Sequence, residues 1–189
     1  MLEYCIVNFM TYQEIIDKFY PVGTRRRDIY LKHCSQVVDE ALDIAHRKNL
    51  NLNDDDIKTG AMLHDIGIFL TDADGIDCHG SEQYIRHGIL GADLLRKYGF
   101  DERFARIAER HTGAGITPED IAELNLPLPP ERKMMPETLL ERLICYADKF
   151  YSKSGSMQKK SLEKVRNSMS RHSTATLDRF ERLHSEFTE

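Results

Sequence analysis

The stretch Ala61-Met62-Leu63-His64-Asp65-Ile66-Gly67 constrains the fold more than any other part of the chain. An imidazole and a carboxylate stand side by side in it, between an apolar run and a glycine that can end a helix. Neighbouring side chains on a helix point about 100° apart, but at the last turn both can swing toward one point beyond the end. That point suits a metal ion. A lone pair of this kind is usually a cap or a surface pair, so a buried site needs donors from elsewhere. His33, His87, His111 and Asp148 each fall in a segment with helical spacing. Bringing them to His64 and Asp65 takes facing helices around one bundle-like core, almost all α.

Taken in order, Thr11 offers an N-cap to a short helix through Phe19 that Pro21 and Gly23 terminate. From about Arg26 to Lys48 the apolar residues Ile29, Tyr30, Val37, Ala41, Ile44 and Ala45 recur at helical spacing, and His33 falls on that stripe. A hydrogen-bonded core histidine is the alternative there. Asn53 or Asp54 caps the helix that ends in His64 and Asp65, with Asp54, Asp55 and Asp56 at the positive end of its dipole. The acidic loop Thr71 to Gly80 fails the EF-hand pattern, because Gly75 is misplaced and no glutamate closes it; a small strand or hairpin fits there. Ser81 is expected to cap the next helix, which ends at Tyr98-Gly99 and carries His87, Gly88 and Gly91 on one face. Two glycines beside a candidate ligand predict close backbone approach.

Asp101 caps a helix that finishes at His111, and Thr117-Pro118 opens a short one to Leu124. Leu126 to Pro136 reads as a crossing loop, after which Pro136 is expected to start a helix with Leu140, Leu143, Ile144, Ala147 and Asp148 inward. A carboxylate on such a stripe must be paired, protonated or bound to metal, because burying it bare costs several kcal/mol. Lys159 to Phe187 reads as one long amphipathic helix or two shorter ones, interrupted from Arg171 to Thr174 and packed on the core or a second subunit. A chain of 189 residues with 41% hydrophobic residues suits one domain. The division is an N-terminal extension (1–24), a main domain (25–155) and a C-terminal helical extension (156–189) packed on the core. Met1 to Met10 is apolar enough to be a docking strand or an extension of the core.

The net charge of −5 gives no global basic field, so neither nucleic acid nor a membrane surface is an expected partner, and phosphate-binding charge must be local. Cys5, Cys34, Cys78 and Cys145 have no CxxC spacing, the N-terminus lacks a signal-peptide pattern, and no run approaches the roughly 20 apolar residues of a membrane span. A cytoplasmic protein is the expectation, with a second copy of the chain as a candidate partner.

The order His33, His64-Asp65, His87, His111, Asp148 resembles the HD superfamily of metal-dependent hydrolases, in the branch whose core motif is written HDIG; residues 64–67 spell that motif. The resemblance covers roughly Asp28 to Ser152. His111-Thr112 and Ala147-Asp148-Lys149 are similar to small dinuclear members, including bacterial symmetric diadenosine tetraphosphate hydrolases. The runs from His111 to Thr117 and from Met135 to Leu139 also resemble an uncharacterised archaeal and bacterial HDIG group. The resemblance implies a single-domain all-α helical bundle. It implies one metal site from His33, His64, Asp65 and Asp148 and a second from His87 and His111, with Asp65 bridging. One or two divalent transition metals follow: iron, manganese, cobalt, nickel or zinc.

The implied reaction is hydrolysis of a small phosphate ester or anhydride, a nucleotide or dinucleotide foremost, by a metal-bridging hydroxide, with His64, Asp65 and Lys149 as catalytic residues. Substrate phosphates also need cations: Lys149 beside Asp148 first, then Arg110 beside His111, and Arg25 to Arg27 more weakly; His79 could reach in from its loop. Each of these can equally be a surface charge. Two other readings stay open: a diiron oxygenase with the same ligands, and a non-catalytic module that binds a metal or a nucleotide.

Overall fold

The structure, a computed structural model, describes residues 10–188, so the reading of Met1 to Met10 as a docking strand lies outside the described residues save for Met10 itself. The elements are α1 (Tyr12–Phe19), α2 (Arg25–Arg47), α3 (Asp54–Leu63), β1 (Asp72–Ala73), β2 (Cys78–His79), α4 (His87–Lys97), α5 (Glu102–Arg110), α6 (Pro118–Glu123), α7 (Leu139–Asp148), α8 (Leu162–Ser170) and α9 (Thr174–Thr188). The fold is all-α. The two short strands pair antiparallel, Asp72 opposite His79 and Ala73 opposite Cys78.

Local chemistry sets most boundaries. Thr11, Thr117 and Thr138 each form a capping box with the acid three residues on, and Asn53 accepts from the amides of Asp55 and Asp56 at the start of α3. Two expected helix starts are wrong. Ser81 caps nothing, because Asp72 N–H donates to the Glu82 carbonyl and Glu82 N–H to the Leu70 carbonyl, which hold the chain extended there; α4 begins at His87 after a tight turn at Tyr84–Arg86. Nor does Pro136 start α7, since Thr138 is the residue whose hydroxyl accepts from Glu141 N–H and sets the first turn at Leu139.

The long helix α2 packs on α3 and α7, α4 packs on α5, and α3 and α7 both meet α5. Tyr30, Val37, Ala41, Leu63, Ile66, Leu143 and Ile144 are buried in the shared core. The last segment is two helices, and Val165 of α8 with Phe180 and Phe187 of α9 joins that core. Tyr20 and Tyr30 stack with centroids 4.1 Å apart; the Tyr20 hydroxyl donates to the Ile66 carbonyl and that of Tyr30 to the Met62 carbonyl. These bonds tie the end of α3 and the turn after it to α2 and to the end of α1.

Gly67 does not act as a left-handed helix stop, for its φ is −85°. A Cβ there would lie 2.3 Å from the His87 carbonyl oxygen and 2.4 Å from the Gly91 nitrogen. A Cβ on Gly88 would in turn meet the Ala108 carbonyl oxygen at 2.8 Å. The close backbone approach expected of this helix is therefore present, and it seats α4 against both the 64–67 turn and α5.

Candidate metal centre

His33 comes from α2, His64 and Asp65 from the turn just beyond α3, His87 from the first position of α4, His111 from just beyond α5, and Asp148 from the last position of α7. All six are buried. They form two groups that share Asp65 and offer ligand atoms close enough to hold one ion each. In the first, His33 Nε2 lies 3.2 Å from His64 Nε2, 3.1 Å from Asp65 Oδ2 and 3.1 Å from Asp148 Oδ1. In the second, His87 Nε2 and His111 Nε2 are 3.0 Å apart and lie 3.4 and 3.3 Å from Asp65 Oδ1. One carboxylate thus gives one oxygen to each group.

The donor chemistry fits metal ions. His64, His87 and His111 direct Nδ1 to the carbonyls of Ala61, Tyr84 and Ala108 at 2.6, 2.7 and 2.8 Å. A neutral imidazole that donates through Nδ1 carries its lone pair on Nε2. In the second group two such lone pairs face each other and a carboxylate oxygen, and none of the three can donate. Neither Asp65 oxygen accepts a well-aligned hydrogen bond, and His33 Nδ1 has no partner. Buried acceptors so arranged are costly without a cation among them. Imidazole nitrogens bound about 2.0–2.1 Å from one ion stand about 3 Å apart, the spacing found here.

Titration favours the same state in the second group. Burial, with His111 alongside, pulls His87 down to about 3, and burial pulls His111 down as well. Both stay neutral, the form that binds metal. For His64 burial is outweighed by Asp65 and Asp148, which hold it well above its ordinary value. Burial also opposes ionisation of Asp65 and Asp148, yet Lys153 and His64 keep the first, and Lys149 and His33 the second, well below the carboxylate range.

A pocket of about 450 Å³ opens beside Asp148 and is lined in part by Tyr84, Lys149, Lys153, Lys160 and His172. Lys149 is buried, 2.7 Å from Asp148 Oδ2, and donates to the His111 carbonyl at 2.8 Å. The other two expected substrate contacts are placed elsewhere. The Arg110 guanidinium is held by Glu137 and Glu141 at 2.8 and 3.0 Å and donates to the Lys133 carbonyl, outside the pocket lining. His79 is exposed and bound to Asp74 and Asp77 at 3.0 and 3.3 Å, a tie within its own hairpin. Sequence reasoning assigned no role to Lys153, whose ammonium lies 2.6 Å from Asp65 Oδ2, nor to Tyr84, which stacks on His87 with centroids 4.7 Å apart. Its one signal was the closeness of Lys153 to Asp148 in the chain.

Comparison with known families matches residues 30–152 to the HD domain. The chain is similar to an uncharacterised protein of Methanocaldococcus jannaschii, 40% identical over 121 residues, 62% of this chain and 63% of that protein. It is also similar to proteins named tRNA (cytidine(56)-2′-O)-methyltransferase from Thermoplasma volcanium and Picrophilus torridus. The first is 34% identical over 140 residues, 74% of this chain and 36% of the relative. The second is 36% identical over 132 residues, 70% and 34%. The chain therefore spans less than two thirds of each relative's length. No solved structure matches it. Among the described residues, no helix is long and apolar enough to cross a membrane.

Proposed function

The chain belongs to the HD-domain family, and on that premise we propose that it is a metal-dependent phosphohydrolase acting on a small phosphate ester or anhydride, nucleotides and dinucleotides being the first substrates to test. The observation that carries this reading is Asp65 itself, one buried carboxylate with an oxygen toward each of two donor groups beside a lysine-lined pocket. Ions bound in the two groups would supply an acidified water and neutralise charge on a phosphoryl group.

The protein's own residues do the rest. The Nδ1 bonds of His64, His87 and His111 to carbonyls of their own turns fix each ring, so that Nε2 points inward without further ordering on binding. Lys149, tied to Asp148, sets positive charge at the pocket floor and buttresses the His111 turn. Lys153 brings a second ammonium to the same wall, and the Tyr84 ring covers His87 from solvent. The methyl transfer in the names of two relatives belongs to proteins of which this chain spans about a third, and it is not carried over.

The test is phosphate or nucleotide release from a panel of nucleotides and diadenosine tetraphosphate, with each metal supplied in turn, with and without oxygen, beside Asp65→Ala. Metal-dependent, oxygen-independent release that is lost in the variant is expected. Turnover that requires oxygen would move the assignment to a diiron oxygenase, and a fully active Asp65→Ala would sink both.

A further inference from the structure

The pocket beside Asp148 is lined in part by Lys160 and His172, which lie beyond the residues matched to the HD domain. Lys159 and Lys160 are neighbours with opposite fates. The chain here has no helix, and Lys160 N–H donates to the Phe150 carbonyl at 2.7 Å, which fixes it alongside the end of α7. Lys159 turns outward to Glu40 at 2.5 Å, with its ammonium 5.5 Å from the centre of the Phe150 ring. Lys160 turns into the pocket.

Three ammonium groups line that pocket, and two are already compensated, Lys149 by Asp148 at 2.7 Å and Lys153 by Asp65 at 2.6 Å. Among the described residues no carboxylate oxygen lies within 4.0 Å of Lys160. Burial, opposed by Asp148 and aided by Lys149 and Lys153, pulls its ammonium below the ordinary lysine value. A partly buried ammonium with like charges nearby and no counter-ion is costly unless an anion comes to it. A phosphoryl group at the donor groups would lie beside Lys149 and Lys153, each within 2.7 Å of a ligand carboxylate, whereas Lys160 has no carboxylate within 4.0 Å and is left to a second anion.

We infer that Lys160 is a second anion subsite and that the substrate carries a phosphate beyond the one that reacts, as in a diphosphate or longer phosphate chain, rather than a lone phosphomonoester. This rests on the phosphohydrolase reading for which phosphate reacts, but its test is a binding measurement. Pyrophosphate and orthophosphate are titrated calorimetrically into the protein as purified, at matched free metal. Pyrophosphate should bind at least about tenfold more tightly, the size of one charge-assisted contact. Lys160→Met should weaken pyrophosphate about tenfold and orthophosphate by less than about twofold, whereas Lys160→Arg keeps the preference. Lys159→Met, facing outward, should leave both unchanged, and circular dichroism confirms that each variant is folded. Equal affinity for the two anions in the wild type, an unchanged preference in Lys160→Met, or equal loss of both anions overturns the subsite. If no ester is hydrolysed and no metal is bound while the Lys160-dependent preference persists, the hydrolase reading fails alone.

Discussion

Two buried carboxylates of the fold are satisfied in opposite ways. Glu109 of α5 has one oxygen 2.8 Å from Arg96 and the other bonded to Arg132. Asp65 is more deeply buried, and around it stand four imidazole nitrogens at 3.1 to 3.4 Å, of which those of His64, His87 and His111 cannot donate to it while neutral, with the ammonium of Lys153 at one oxygen. Burial of charge is common to both. What separates a strut from a site is whether the chain completes the coordination by itself: the arginines close Glu109, and the histidines leave Asp65 open to a cation.

The sharpest way to break the comparison is Asp65→Asn. It should empty both groups and cut phosphate release by about 10³-fold or more, read by elemental analysis and the release assay, while the protein stays folded. A metal-replete variant would erase the distinction. Next, His33→Ala and His87→Ala should each remove metal from one group and spare the other, with more than about a 100-fold loss of turnover. Elemental analysis that shows both groups emptied by either change would mean that they do not load separately.

Glu109→Gln should do the reverse of Asp65→Asn. Its metal content stays at the wild-type level, while urea denaturation shows a loss of about 1–3 kcal/mol, discounted because Arg96 and Arg132 are 33% and 27% exposed. The smallest effect separates the two donor groups by pH. His64, raised above its ordinary value, must lose a proton to bind metal, so affinity of the His33–His64 group should fall up to about tenfold per pH unit below that raised value. His87, held to about 3, is already neutral, so its group should keep metal as the pH falls through 6.5. Equilibrium dialysis of the His33→Ala and His87→Ala proteins from pH 8 to 5.5 measures the difference.

The helical stripes of α2, α5 and α7 were legible because their apolar spacing repeats over several turns, and His33, His111 and Asp148 could be placed on them or at their ends without coordinates. The start of α4 was not, since long-range hydrogen bonds from Leu70 and Asp72 hold the chain at Glu82 extended against a good capping residue. The position of the Arg110 side chain was not legible, because proximity to His111 in sequence says nothing of Glu137 and Glu141, which come from another segment and hold its guanidinium. Lys153 and Lys160 lie in an aperiodic stretch whose course is set by packing on α7, so no local pattern announces which way either points.

The contact of Gly67 with the first turn of α4 acts as the stop on a caliper. His64 rides on one jaw and His87 on the other, and the jaws meet backbone to backbone, with nothing compressible between them. A side chain at a helix interface can give by a rotamer; a carbonyl pressed on a Cα cannot. The spacing of the two donor groups is therefore machined into the main chain, and even one methyl group on Gly67 would reset the gauge for both at once.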